Sequence, residues 1–282
     1  MRLLLIIACL FCISALHAQQ VNEPKALSAD WDQPYQPFRV AGNLYYVGTY
    51  DLACYLITTS QGNILINTGL AASASIIEAN INALGFKLSD TKILLTTQAH
   101  YDHLGAMATI KQKTGAQMVA NEKDATVIAD GGASDYAFGG NGPTFAPIPV
   151  DRLLRDGDVV RLGDMEVTML HHPGHTKGSS SYLFTVKDEK QSYKVLIANM
   201  PSIVINSFGL ATSYPTISAD YAYTLEKMKG LQFDLWLASH ASQFGMHNKR
   251  KQGDAYNPKA FVDKEGYLAS LAKLQRAYDE KK

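Results

Sequence analysis

The residues of this chain best suited to chemistry stand close together in Gln98-Ala99-His100-Tyr101-Asp102-His103. Two imidazoles and a carboxylate fall within four positions there, soon after the apolar run Ile93-Leu94-Leu95. A further nitrogen ligand would be expected two positions before His100, where the chain has Gln98 instead. Two more histidines follow apolar segments far along the chain. His175 lies in the tight turn His172-Pro173-Gly174-His175-Thr176-Lys177-Gly178, and His240 closes Trp236-Leu237-Ala238-Ser239-His240. A lone histidine after a strand is more often structural than a ligand. Here His100, Asp102, His103, His175 and His240 all occupy turns after β-rich runs, where loops from one sheet edge converge. Imidazoles with a carboxylate and no nearby cysteine favour zinc with open coordination positions over a closed structural site. The chemistry such a site suits is hydrolysis by an activated water. His171, His172 and His247 are expected to be supporting or plain polar residues.

The elements that must position these groups can be read from periodicity. Residues 43–48, 54–57 and 63–66 read as strands, and Asn67-Thr68-Gly69 then breaks the pattern. Ile77, Ile81 and Leu84 have helical spacing with Gly85 placed for a C-cap. Strand 93–95, the ligand cluster and a short helix with Met107 and Ile110 follow, ending before Gly115. In the second half, residues 159–169 read as a hairpin around Gly163-Asp164. Residues 182–186 and 193–198 are further strands, a helix carries Tyr221, Leu225 and Met228, and residues 233–238 form another strand. The closing helix shows Tyr267, Leu271, Leu274 and Tyr278 on one face. No linker divides the halves, so the expected architecture is α+β, one four-layer domain of two sheets flanked by helices. The glycine-rich residues 131–142 lack the Gly-Lys-Ser/Thr ending of a phosphate cradle. They read as a surface loop or an active-site rim.

Bulk properties narrow the rest. The 282 residues are 46% hydrophobic, ample for one large core. With 26 basic and 26 acidic residues, nothing points to nucleic acid or an anionic membrane as partner. Arg2 precedes an apolar run over residues 3–15, and Ala18 offers a small residue for cleavage. Residues 1–18 therefore read as a secretory signal peptide, with the mature domain over 19–282 and a periplasmic location. Cleavage removes Cys9 and Cys12 and leaves Cys54 alone, so no internal disulfide is expected and Cys54 reads as a small buried core residue. No later apolar stretch is long enough to span a membrane. Balanced charge and the lack of a coiled-coil segment make a monomer the expectation.

These motifs resemble those of the metallo-β-lactamase-fold hydrolases, and within them the subclass B3 metallo-β-lactamases. The family pattern His-x-His-x-Asp-His, a later Gly-His-Thr-x-Gly and a final Ser-His match residues 98–103, 174–178 and Ser239-His240. The segment from Gly131 to Tyr136 and Met246-His247 are also similar to that subclass, and the resemblance covers essentially the whole mature chain. Gln98 in place of the first histidine narrows it to the GOB-type branch. The resemblance implies a four-layer αββα sandwich of two mixed sheets and a zinc enzyme that opens penicillins, cephalosporins and carbapenems by zinc-activated hydroxide. By the same resemblance Gln98, His100 and His175 hold one zinc, and Asp102, His103 and His240 hold the second. Asp102 also orients the nucleophile, and Ser202, Met200 and Tyr136 contact the small-molecule substrate.

Departures from the pattern carry expectations of their own. The neutral amide of Gln98 is a weaker partner for zinc than imidazole, so its site should bind less tightly than the one with Asp102. A working single-zinc form on Asp102, His103 and His240 follows from that. Asn67 stands where the superfamily usually has an aspartate, and Met200 replaces a serine common in the subclass. Two other functions stay open. One is a hydrolase of the same fold acting on a lactone, thioester or sulfate ester; the other is a non-catalytic periplasmic zinc-binding protein.

Overall fold

A computed structural model of the protein describes residues 20–282; the signal peptide expected over residues 1–18 lies outside the described residues. Among the described residues, seven strands form a first sheet in sequence order. They are β1 (Phe38–Ala41), β2 (Leu44–Tyr46), β3 (Tyr55–Thr59), β4 (Gly62–Ile66), β5 (Thr91–Leu95), β6 (Gln117–Asn121) and β7 (Arg152–Leu154). The first four pair antiparallel, and β4 to β7 run parallel. The second sheet holds β8 (Val159–Leu162), β9 (Met165–His171), β10 (Ser180–Lys187), β11 (Ser192–Ala198) and β12 (Leu235–Ala238), also side by side in sequence order. Its pairs are antiparallel except β11 with β12. Both sheets are thus mixed.

Alternation along the strands of the first sheet feeds two separate cores, because successive side chains point to opposite faces. Tyr55, Ile57, Ile64, Ile66 and Leu95 face the second sheet, while Leu56, Leu65 and Leu94 face the outer helices. Those helices are α1 (Ser73–Ala83), which buries Ile77 and Ile81, and, after the short α2 (Tyr101–Leu104), α3 (Met107–Thr114), which buries Met107 and Ile110. Gly115, at φ +66°, ends α3 in the left-handed conformation. The second sheet is covered by two further long helices. After the short α4 (Ala125–Ala129), α5 (Ile217–Lys229) buries Tyr221, Leu225 and Met228. After the short α6 (Met246–Lys249), α7 (Lys264–Asp279) buries Tyr267, Leu271 and Tyr278, with the Asp263 side chain capping its N-terminus. The layers run helix, sheet, sheet, helix, as the periodicity predicts. Strands β6 and β7, absent from the sequence-based expectation, extend the first sheet. Cys54 is fully buried, and no helix among the described residues is long and apolar enough to cross a membrane.

Candidate metal centre

Loops at one edge of the two sheets bring the candidate ligands together. Gln98 and His100 lie on the segment leaving β5, and Asp102 and His103 on α2. His175 occupies the connection between β9 and β10, and His240 follows β12. A polar hub fixes this edge. Thr97 O accepts from the Ser180 N–H (2.7 Å) and Asn199 Nδ2 (2.8 Å), and Ser239 Oγ donates to Thr97 Oγ1 (3.0 Å). Thr97 N in turn donates to Asn67 Oδ1 (2.9 Å). Asn67 has φ +63°, and its other amide end donates to the Ala53 carbonyl (3.4 Å). The amide serves as donor and acceptor at once, which a carboxylate there could not do, since its oxygens would face the Ala53 carbonyl without a proton to offer.

Two trios result. In the first, His100 Nδ1 is 3.1 Å from His175 Nε2 and 3.5 Å from the Gln98 amide. The amide, turned over about its last bond, presents oxygen at the same place. In the second, Asp102 Oδ2 lies 3.2 Å from His103 Nε2 and 3.3 Å from His240 Nε2, and one donor atom of each residue falls within 4.8 Å of the others.

The far side of each ring tells which nitrogen carries the proton. His175 Nδ1 faces the Ser202 carbonyl at 2.6 Å, and His240 Nδ1 faces Asp51 Oδ2 at 3.1 Å. His100 Nε2 is 3.5 Å from Asp135 Oδ2. Carbonyls and carboxylates only accept, so His175 Nδ1 and His240 Nδ1 carry hydrogens and their opposite nitrogens keep lone pairs. With the Nδ1 hydrogen of His175 on the Ser202 carbonyl, its Nε2 lone pair faces His100 Nδ1 across 3.1 Å, and His100 Nε2 is buried without a hydrogen-bond partner. The lone pair of His240 likewise points at a carboxylate oxygen, and the buried Nε2 of His103 has no hydrogen-bond partner. Such buried acceptors facing one another are costly without a cation between them. Neutral imidazoles, one carboxylate and an amide suit zinc, and this is the carboxylate–histidine arrangement that holds metal-bound imidazoles in place.

Titration behaviour follows the same charges. Burial works against a charged His240, but Asp102 and Asp51 together raise its pKa to about 9. Burial also opposes ionisation of Asp102, yet His103 and His240 hold it well below the usual carboxylate range. Burial and the neighbouring His100 push His175 down to about 3.

The trios open into a cleft of about 280 Å³. Its walls add Leu27, Trp31, Phe138 and Val204 on the apolar side and Ser202, Ser242 and Gln243 on the polar side, with no lysine or arginine among the lining residues. Two expected substrate contacts lie outside the residues that line the cleft. Met200, 2% exposed, is packed into the core between the sheets. Tyr136 turns away to donate to the His175 carbonyl (2.9 Å) and stacks edge-on against Tyr214, so it braces the His175 loop rather than lining the cleft. The remaining histidines are engaged elsewhere: His171 with Asn121, His172 with Ser181 and His247 with the Tyr50 carbonyl.

Supporting residues outside the motifs are as informative. Asp51 accepts from Trp31 Nε1 (3.1 Å) and the Ser242 N–H (2.8 Å) besides holding His240. Asp135 accepts from the N–H groups of Ala137 (2.9 Å) and Phe138 (2.7 Å), and the Phe138 ring packs edge-on against His100. Asp124, 2% exposed, contacts the backbone on both sides of the first trio. Asp135 stood in a segment already matched to the subclass, but Asp51 and Asp124 are single acids without a spacing signal.

Comparison with known proteins agrees with this geometry. The pattern of the Metallo-beta-lactamase superfamily matches residues 48–188. Among curated proteins, a hydroxyacylglutathione hydrolase of Bradyrhizobium sp. (strain BTAi1 / ATCC BAA-1182) is 34% identical over 122 residues, 42% of this chain and 39% of that protein. The chain thus matches about two fifths of that relative's length. Solved structures match far more fully. The class B3 di-zinc metallo-β-lactamase LRA-12 from an Alaskan soil metagenome is 67% identical with a TM-score of 0.91, covering 93% of this chain and 99% of that one. The metallo-β-lactamase GOB-18 from Elizabethkingia meningoseptica is 55% identical with a TM-score of 0.92, covering 94% and 98%. The family pattern covers half of the chain, the fold of the class B3 structures is matched over nearly its whole length, and the chain belongs to the metallo-β-lactamase superfamily.

Proposed function

We propose that this chain is a zinc-dependent β-lactamase that hydrolyses the amide bond of penicillins, cephalosporins and carbapenems. Gln98, His100 and His175 form one zinc site, and Asp102, His103 and His240 form the other. The observation that carries this reading is the pair of trios at one cleft, with the outer nitrogens of His175 and His240 tied to acceptors and buried imidazole nitrogens of His100 and His103 left unpartnered. Likeness to class B3 enzymes over nearly the whole chain supports it.

Bound there, zinc supplies Lewis acidity, lowering the pKa of a coordinated water from about 15.7 to roughly 7 and polarising an amide carbonyl. The protein's own residues do the rest. Asp102, within 3.3 Å of two imidazoles, orients the attacking water, and His103 and His240 hold its carboxyl well below the usual carboxylate range. His175 and His240 are locked in one tautomer by Ser202 and Asp51, so their lone pairs cannot leave the site. Leu27, Trp31, Phe138 and Val204 exclude water from one wall and receive the apolar side group of the substrate. Ser202 Oγ lines the same cleft, 3.2 Å from His175 Nδ1, and is placed for a substrate carboxylate. With no lysine or arginine in the lining, that carboxylate is met by hydroxyl groups and the metal edge.

The mature domain is residues 19–282, exported to the periplasm by residues 1–18 and acting as a monomer. The fold and a partial match to a hydroxyacylglutathione hydrolase favour a thioester as the second substrate class to test. Purified mature protein should turn over a chromogenic cephalosporin, lose that activity to a chelator and regain it with zinc. Chelator-sensitive cleavage of a glutathione thioester without cephalosporin turnover would put the thioester reading in its place.

A further inference from the structure

We infer that Asp124 is a positioning residue that builds the Gln98/His100/His175 site, an inference that rests on the zinc reading above. Asp124 follows β6, the strand beside β5 in the first sheet, and its carboxylate is buried. It is surrounded by donors from the two loops that supply the first trio. Oδ2 accepts the Ala99 N–H (3.1 Å), the peptide between Gln98 and His100, and the Thr176 hydroxyl (2.7 Å), next to His175. Oδ1 accepts the Gly178 N–H at 2.6 Å. Thr176 N is in turn held by Ser179 Oγ (2.8 Å), which closes the turn. One side chain thus joins the loop of the first sheet to the loop leading into the second.

The close approach explains a residue of the His175 segment. A Cβ on Gly178 would stand 2.6 Å from both Asp124 Cγ and Asp124 N, so only glycine lets the two loops meet. No donor from the second trio reaches Asp124. His240 has its own carboxylate in Asp51, and Asp102 and His103 sit on the rigid turn of α2. The first trio is electrically neutral, so Asp124 also supplies buried negative charge beside a site whose ligands bring none. Its hydrogen bonds all go to the loops of the Gln98 side.

The test is site-resolved metal binding. The full mature protein is titrated with Co(II), followed by its visible absorption, and with Zn(II) against a competing chelator. The binding step lost in Gln98→Ala identifies the first site. Asp124→Asn keeps the size but removes the charge and turns a donor toward N–H groups. It should weaken the first step by about 10- to 100-fold and leave the second within about threefold, with altered Co(II) bands only for the first. Thr176→Val, which deletes a single contact and spares the carboxylate, should give a smaller shift in the same step. Asp124→Glu should recover part of the loss. Equal weakening of both steps, or no change in either variant, overturns the inference. A wild-type protein that takes up no metal overturns the zinc reading itself.

Discussion

The two trios share a cleft but carry their negative charge in different places. Asp102, His103 and His240 include a carboxylate among the ligands, and Asp51 stands directly behind His240. Gln98, His100 and His175 include none. Their charge is set back, in Asp135 near the outer nitrogen of His100 and Asp124 behind the backbone of both loops. A cation at the second trio is attracted by a ligand, whereas one at the first is attracted through intermediates. Removing Asp124 or Asp135 therefore costs the first site what removing Asp102 costs the second, but more gently. The neighbouring amide makes the contrast steeper, since imidazole is the stronger partner for zinc.

This contrast can be broken in four ways. The largest effect belongs to Asp102→Ala, which removes the charged ligand shared by His103 and His240. Hydrolysis should fall by more than the roughly 100-fold that bounds changes behind the ligands, and the second metal equivalent should be lost on dialysis. Retention of that equivalent would place the charge of the second site elsewhere. Next, Asp51→Asn should weaken the second site by about 10- to 100-fold without moving the first, as read by chelator competition. A shift in both would mean that Asp51 supports the fold rather than His240. Third, Gln98→His should tighten the first site by about tenfold, near 1.4 kcal/mol, and narrow the gap between the two steps. Unchanged affinity there would show that the amide is not what weakens that corner.

The smallest effect concerns acid stability. His172, on the loop of the first trio, is buried and bonded to Ser181 Oγ at 2.7 Å, and burial lowers its pKa to about 4. Its ordinary value is near 6.5. As pH falls below about 6.5 the unfolded chain takes up a proton that the folded chain refuses until about 4, so stability is lost across that window and not above it. Metal-free wild type should lose on the order of 1–3 kcal/mol more than His172→Asn between about pH 7 and pH 4, measured by urea unfolding. Parallel pH profiles would relieve His172 of any part in acid sensitivity.

Much of this arrangement is legible in the chain because it depends on local patterns. Apolar residues three and four apart mark α1, α3, α5 and α7, and the ligands stand at fixed distances from apolar runs. Strand β6 escapes because four of its five residues are buried without alternation, and β7 because one of its two leucines, Leu153, is 54% exposed at the sheet edge. Their β conformation comes from parallel neighbours, which leave no periodic trace. Asp51 and Asp124 escape for a related reason: each acts on groups far away in sequence, so nothing nearby announces it. Tyr136 shows the opposite case. An aromatic among glycines suggests substrate contact, but the side chain finds a closer use against the His175 carbonyl.

The link from Trp31 through Asp51 to His240 also sets an order of events. It joins positions 20 and 189 residues apart, the latter spanning most of the chain. During synthesis the early partners wait with their polar groups open until nearly the last strand has emerged. Closing so long a loop is slow, and no partial chain owns the finished corner. A cation at Asp102, His103 and His240 meets the finished corner only once the chain is whole. The local metal supply at that moment decides what is captured.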